Sequence, residues 1–470
     1  MRRYTLLLAI LSHSVLMMAQ NLTTRIDVLL GDALLHAADA SVVVYDLTAD
    51  KMLYEHRADK LCRPASVEKV VTVVAALDRL GTDYTLRTEL RTTGFLDADS
   101  ILHGDLYVVG GFDPEFTAAD LNSLIAAIPR AGIRSISGSV LADVSMADTT
   151  YWGSGWCWDD APAAFQPYYS PLLLEKGCVE VCVTPTVKDS TATIVCLPTS
   201  SWYEIDNHTR CYNDSAGPLR ITRDWQEGSN RIIVSGNVEQ PCTRRLSVQT
   251  SDRHFFALFT ERMLRSGIGA SHFGYGICPP DAYSIATVER SIGEVVYKAL
   301  KESDNLNAEA LLFHLAATSA KPYATASDGV ARIDSLLTFI NHIYGEKGTR
   351  VPPHKIVDGS GLSSYNMVSA RLLLSVLLYA HSQPEIYEML TDALPRSGTD
   401  GTLKGRMGNK AMRGRIVAKT GSMTGVSTLA GYARANNGHT LAFVIMNQHV
   451  LKLSQARAWQ DKVCTAICTY

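Results

Sequence analysis

Residues 66–80 read SVEKVVTVVAALDRL, with Val, Ala and Leu on most faces of a helix and Gly81 placed to end it. A helix that is apolar nearly all round belongs in a core, so the chain must wrap other layers about it. On its N-terminal side, Ile26, Leu29, Leu30, Ala33 and Leu34 follow helical spacing. Residues 41–54 then read as two strands joined by a polar turn at Thr48-Ala49-Asp50. From Asp83 to about Pro280 the texture changes to short alternating segments broken by Gly, Pro, Asp and Asn, mostly β and without internal repeat. Helical patterns dominate after Asp281, at residues 291–301, 306–318, 328–344, 369–380 and 384–393. Strands return at 414–423, 427–435 and 440–447, with an Asn436-Asn437-Gly438 hairpin signal, before a closing helix from Lys452. Helix and hairpin elements at both ends thus bracket a β-rich middle. The expected organisation is one α/β (α+β) domain made of residues 21–84 and 281–470, interrupted by a β-rich inserted region, 85–280, of one or two domains.

At 470 residues, and about 150 per domain, the chain has room for this arrangement. Lys+Arg 44 against Asp+Glu 47 leaves a net charge of −3, so no basic field is present to hold a polyanion and nucleic acid is not an expected partner. Met1-Arg2-Arg3 precedes an apolar run to Ala19, interrupted by Ser12, His13 and Ser14. That order is expected of a secretory signal covering residues 1–20, cut near Ala19 or Gln20, and places the protein in the bacterial periplasm. No later run reaches the roughly 18 apolar residues of a membrane span, so the mature chain is expected to have none. Ten cysteines in an exported chain lead us to expect some disulfides, with the pairing open. Cys178/Cys182 and Cys464/Cys468 are each four apart with no His behind them in ligand spacing, which argues against zinc. No metal or cofactor is expected.

Three short motifs carry chemistry. Ser66-Val67-Glu68-Lys69 is the only Ser-x-x-Lys in the chain. Residues three apart share a helix face, so Ser66 Oγ and Lys69 Nζ can meet beside unpaired backbone N–H groups at a helix N-terminus. Burial of Lys69 would favour its neutral amine, able to accept the serine proton. Standing alone, the tetrad also fits a capping serine and a solvated lysine. Lys419-Thr420-Gly421, likewise the only Lys-Thr-Gly, ends a strand. There Lys419 and Thr420 can meet a carboxylate, Gly421 permits close backbone approach, and the Ser422 N–H points into the same site. Three Ser-x-Asn triplets occur, at Ser235, Ser303 and Ser364, and spacing alone does not choose among them.

In this order, Pro64-Ala65-Ser66-x-x-Lys69 with Thr72, Ser303-Asp304-Asn305 and Lys419-Thr420-Gly421 resemble the three motifs of penicillin-binding proteins and serine β-lactamases. The chain is most similar to the class C low-molecular-mass penicillin-binding proteins, the D-alanyl-D-alanine carboxypeptidase/endopeptidases of the penicillin-binding protein 4 type. Gly104-Asp105-Leu106-Tyr107, Gly138 to Asp143, Trp156 to Asp160, Asp358-Gly359-Ser360-Gly361-Leu362, and Leu394-Pro395 through Leu403 extend the likeness over nearly the whole mature chain. It departs at Phe112, where the family has a small residue, and in the number of cysteines.

The resemblance implies a β-lactamase/transpeptidase-like catalytic domain, an antiparallel sheet with flanking helices and a helical subdomain. Ser66 is then the acylated nucleophile and Lys69 its base, and Ser303, linked to Lys419, passes a proton to the leaving D-alanine. Asn305 holds the substrate amide and Lys419 and Thr420 bind the terminal carboxylate, while the Ser66 and Ser422 N–H groups, with Gly421 between, form the oxyanion hole. The implied substrate is a peptidoglycan stem peptide ending in D-Ala-D-Ala, with β-lactams as covalent inhibitors. Asp143 is the candidate for meeting a side-chain ammonium of the stem. A class A β-lactamase would need a Glu followed four residues later by Asn, and Glu309, Glu346, Glu385 and Glu388 lack it. The alternatives kept open are a β-lactamase and a poorly turning-over receptor of the same fold.

Overall fold

The computed structural model describes residues 21–319, 321–344 and 351–470, so the signal reading of residues 1–20 lies outside the described residues. Asn21 caps helix α1 (Leu22–Leu30) by accepting from the Thr23 N–H. Strands β1 (Asp39–Asp46) and β2 (Lys51–His56) form the expected hairpin. A 3₁₀ turn, Ala65–Val67, leads into the core helix α2 (Glu68–Leu80), so Ser66 sits on that turn rather than in the α-helix proper. The middle contains β3 (Thr85–Thr92), β4 (Phe95–Leu96), β5 (Ile101–His103), β6 (Leu106–Val109), α3 (Ala118–Arg130) and β7 (Ser135–Asp143). Then follow β8 (Cys178–Thr184), β9 (Thr193–Leu197), β10 (Ile205–Cys211), β11 (Arg220–Arg223), β12 (Ile232–Val238), β13 (Cys242–Ser247), α4 (Ser251–Arg265), β14 (Ala270–Tyr275) and β15 (Tyr283–Ser291). The last third holds α5 (Ile292–Lys301), α6 (Asn305–Ala317), α7 (Ala326–Tyr344), α8 (Ala370–Ser382), α9 (Pro384–Ala393), β16 (Ile416–Met423), β17 (Val426–Arg434), β18 (Thr440–Gln448) and α10 (Leu453–Cys468).

Two compact units result. The first runs to Asp78, takes up Val296–Ser303 and continues from Ile333 to Tyr470. Its centre is an antiparallel sheet in the order β16-β17-β18-β1-β2. β1 pairs with β18 from Asp39↔Gln448 to Asp46↔Leu441, so the first strand is locked to the last. Leu22 and Ile26 of α1 and Trp459, Val463 and Ile467 of α10 cover one face, on Val42, Val44, Leu429, Phe443 and Ile445. The buried helix α8 packs on the sheet as well, and Tyr432 Oη donates to the Leu377 carbonyl of α8 at 2.7 Å.

The second unit comprises Arg79–Val295 and Asp304–Arg332. A seven-stranded sheet carries β15-β3-β6-β7-β5-β4 with β14 added on β7, and two three-stranded sheets run β10-β12-β11 and β13-β8-β9. Three findings differ from the expectations above. The middle is β-rich as expected but also carries two helices that the pattern did not announce, α3 and α4, which cover the larger sheet with Leu121, Leu124, Ile128, Phe255, Phe259 and Met263. α3 opens on a capping box between Thr117 and Asp120, a signal that the flanking short strands obscured. The boundary at 280/281 also shifts. β15 pairs with β3 from Tyr283↔Thr92 to Ser291↔Thr85, and residues 304–332, including α6 buried along most of its length, belong to this unit.

The third difference concerns sulfur. All ten cysteines are free thiols, six of them buried. The core uses the six buried ones as small apolar side chains. Phe112, the departure from the family pattern, has φ +47 and stacks on Phe313 at 5.0 Å between centroids. A bulky residue is costly in that left-handed region, and the ring contacts offset the cost. Among the described residues, no helix is long and apolar enough to cross a membrane.

Candidate active site

The segment Arg63-Pro64-Ala65-Ser66 is fixed from two sides before any catalytic group is considered. Gln448 of β18 accepts from the Arg63 N–H at 3.2 Å and donates to its carbonyl at 3.0 Å, and Thr428 Oγ1 donates to the Pro64 carbonyl at 2.7 Å. Ala65 is held at φ +49, a region that an L-residue occupies only under constraint from its surroundings. Ser66 follows, part-exposed, and one turn later Lys69 is fully buried with Nζ 3.0 Å from Ser66 Oγ.

The other partners of α2 come from a loop at 358–363. Lys69 Nζ donates to the Ser360 carbonyl at 2.7 Å and Thr72 Oγ1 to the Gly359 carbonyl at 2.7 Å. Asp358 gives this loop its shape by accepting from the N–H groups of Gly361 and Ser363 and from Asn366 Nδ2, at 2.9, 2.7 and 2.6 Å. Gly361 has φ +76, and a Cβ there would lie 2.0 Å from the Ala65 carbonyl, so only glycine allows the loop to reach α2.

Strand β16 supplies the second wall. The two-residue period buries Lys419 and Gly421 and leaves Thr420 and Ser422 more open. A Cβ on Gly421 would lie 2.1 Å from Thr428 Oγ1 and 3.0 Å from the Ser66 backbone nitrogen, so the strand edge passes directly beside the nucleophile's turn. Lys419 Nζ donates to Ser303 Oγ at 2.7 Å and to the Thr420 carbonyl at 2.9 Å. Burial, reinforced by the charge of Lys69, pushes the Lys419 ammonium well below the usual lysine range. Ser303 itself stands at φ +63 just after α5, a second strained residue at the site. Thr420 Oγ1 donates to Thr402 Oγ1 at 2.7 Å.

These groups open on a pocket of about 580 Å³, roomy enough for the end of a peptide. Ser66, Ser303, Thr420 and Ser422 line one side; Thr402, Gly405 and Arg406, with Ser454, Arg457 and Asp461 of α10, line the other. Within one unit the structure therefore brings together Ser66, Lys69, Ser303, Lys419, Thr420, Gly421 and Ser422. Asn305 falls in the second unit, as the first residue of α6, with Nδ2 donating to the Phe165 carbonyl at 2.8 Å. Asp304 beside it caps α6 and pairs with Lys176 at 2.7 Å.

Asp143, at the end of β7 in that same unit, is only 5% exposed. Its two oxygens accept from the backbone N–H groups of Ser145 and Cys278 at 2.8 and 2.7 Å, which ties the 276–278 chain to the strand. Of the other triplets, Ser235 to Asn237 lies inside β12, and Asn366 serves Asp358. Sequence reasoning missed the Ser360 carbonyl, although Asp358-Gly359-Ser360-Gly361 stood out as part of the likeness. It also missed Thr402 and Arg457; one arginine on an amphipathic helix carries no signal.

A family model described as D-Ala-D-Ala carboxypeptidase 3 (S13) matches residues 22–466. The chain belongs to that family. It is 29% identical over 442 residues to a D-alanyl-D-alanine carboxypeptidase of Actinomadura sp. (strain R39), covering 90% of this chain and 80% of that one. It is 25% identical over 417 residues to D-alanyl-D-alanine carboxypeptidase DacB of Haemophilus influenzae, covering 87% and 85%. The crystal structure of penicillin binding protein 4 (dacB) from Haemophilus influenzae superposes with a TM-score of 0.78 at 26% identity, over 91% of this chain and 95% of that one. The fold is thus the transpeptidase-like one with additional β-rich parts, and the family is one of serine hydrolases.

Proposed function

We propose that the chain is an exported serine-type D-Ala-D-Ala carboxypeptidase and/or endopeptidase, acting on peptidoglycan stem peptides in the periplasm. Ser66 Oγ attacks the carbonyl between the two terminal D-alanines as its proton passes to Lys69 Nζ. The oxyanion that forms is met by the Ser66 and Ser422 N–H groups. When the tetrahedral intermediate collapses, the C–N bond breaks and the departing amine takes a proton through Ser303 and Lys419. Thr420 meets the terminal carboxylate and Asn305 the substrate amide. Water then cleaves the ester on Ser66 and restores the hydroxyl. A β-lactam follows the first half of this path and, with no Glu-x-x-x-Asn pattern between the second and third motifs, leaves a lasting adduct. Asp143, with both oxygens on backbone N–H groups, we read as holding a loop.

One observation carries the reading. Lys69 Nζ stands 3.0 Å from Ser66 Oγ while the buried Ser360 carbonyl takes one of its N–H bonds, which aims the amine at the hydroxyl. The test is release of D-alanine from a muropeptide ending in D-Ala-D-Ala, with Ser66→Ala as the control. Release by the parent protein alone is expected. No release, with fast hydrolysis of a chromogenic cephalosporin, would make the protein a β-lactamase instead.

A further inference from the structure

The pocket's far wall raises a question of charge. The proposed substrate brings a carboxylate to Thr420 and Ser422, yet the lysine of that strand is buried and bonded to Ser303 and to a carbonyl. Two arginines line the pocket. Arg406 is committed, because its guanidinium pairs with Asp461 of α10 at 2.6 Å and also donates to Gln460 Oε1 and the Arg457 carbonyl, each at 3.2 Å. Its charge is balanced by that carboxylate.

Arg457 differs. It lies on the exposed face of α10, with Nη2 donating to Ser422 Oγ at 3.1 Å. Among the described residues no carboxylate lies within ion-pair distance of it. We infer that Arg457 is the carboxylate-recognition residue of this pocket, which pairs through its guanidinium with the carboxylate next to the scissile bond while Thr420 and Ser422 supply hydroxyl donors. The inference rests on the proposed peptidase reading. Three features carry it: a pocket continuous from Ser66 to α10, a guanidinium already bonded to the residue after Lys-Thr-Gly, and the pairing of its neighbour Arg406 elsewhere. A guanidinium stays charged at every working pH and presents donors in a fork that matches a carboxylate. It therefore supplies what a buried lysine beside a second lysine supplies poorly.

Recognition of this kind separates an acid from its amide, and the test uses that property. Two stem peptides are compared, one ending in D-Ala-D-Ala and one in its carboxamide, on the full chain and on Arg457→Gln and Arg457→Lys. Arg457→Gln is expected to lower kcat/KM for the acid about 10- to 100-fold, mostly through KM, and to leave the amide unchanged. Arg457→Lys should restore part of the preference for the acid. An unchanged acid-to-amide ratio in Arg457→Gln, or an equal fall for both peptides, would overturn the inference. Should the parent protein cleave neither peptide, the peptidase reading fails by itself. The inference is then decided by acylation rates with a β-lactam and its methyl ester, where only a selective loss for the acid in Arg457→Gln sustains it.

Discussion

In the unit that holds Ser66, the buried lysines Lys69 and Lys419 end at hydroxyls that open on a pocket. In the other unit, buried titratable groups end elsewhere: Asp143 on two backbone N–H groups, His254 on Tyr203 Oη at 2.8 Å, His314 on Tyr84 Oη at 3.0 Å. Burial of an ionisable side chain therefore does not mark a site. What marks it is a buried group whose next neighbour lines a pocket, as Ser66 and Ser303 do, because only there does a perturbed charge act on something that can bind.

The contrast can be broken most directly at Ser66. Ser66→Ala should remove D-alanine release and penicillin labelling by at least about 10⁴-fold while the melting temperature stays unchanged. Loss of folding in that variant would instead make Ser66 a structural residue. Lys419→Met comes next, with an expected activity loss of about 10²- to 10⁴-fold. Its effect on stability should have the opposite sign. Because folding pushes the Lys419 ammonium well below its usual range, the unfolded chain binds a proton that the folded chain does not, and stability falls as pH drops below the ordinary lysine range. The methionine variant should melt higher than the parent at neutral pH and lose that dependence; a lower melting temperature there would contradict the burial argument.

The second unit should answer to acid. Burial pushes His254 and His314 down to about 4 from an ordinary 6.5. Each imidazole therefore contributes stability above about pH 6.5 that is lost as the pH falls toward 4. Hydrogen exchange should find α4 and α6 opening in that window before β17 and β18 do. Simultaneous opening of both sets would remove the distinction between the units. Asp143→Ala gives the smallest effect, a stability loss of about 1–3 kcal/mol with an unchanged preference among stem peptides. A changed preference would move Asp143 into substrate recognition.

How much of this was legible in the sequence follows from what each part requires. Ser66 and Lys69 were legible as a candidate pair because a proton transfer within one helical turn demands a spacing of three, and Lys419 to Gly421 as a candidate strand edge because close backbone approach demands glycine, but it was the three motifs in order, with the family likeness, that made them a site. The Ser303 triplet needed the family likeness, since Ser-x-Asn by itself equally describes a piece of β12. The Ser360 carbonyl and Arg457 were hidden for a different reason. A carbonyl has no side-chain identity, and an arginine that reaches a pocket from a helix face looks like any solvated arginine. In the fold, the strands of the five-stranded sheet were legible as short apolar runs bounded by turn signals at 41–54 and 414–447. α3 and α4 were lost among short strands, and the boundary at 280 was misplaced because β15 finds its partner β3 far back in the chain.

The pairing of β1 with β18 sets an order of events during synthesis. Ser66 leaves the ribosome early, but β1, paired on one edge with β2, has nothing on its other edge until residues 441–448 follow, and the pocket has no far wall until α10 does. Contacts of such long sequence separation make folding slow. A chain stopped before β18 would lack the two Gln448 bonds that hold Arg63 ahead of the nucleophile, so acylation by a β-lactam reports closure of the sheet.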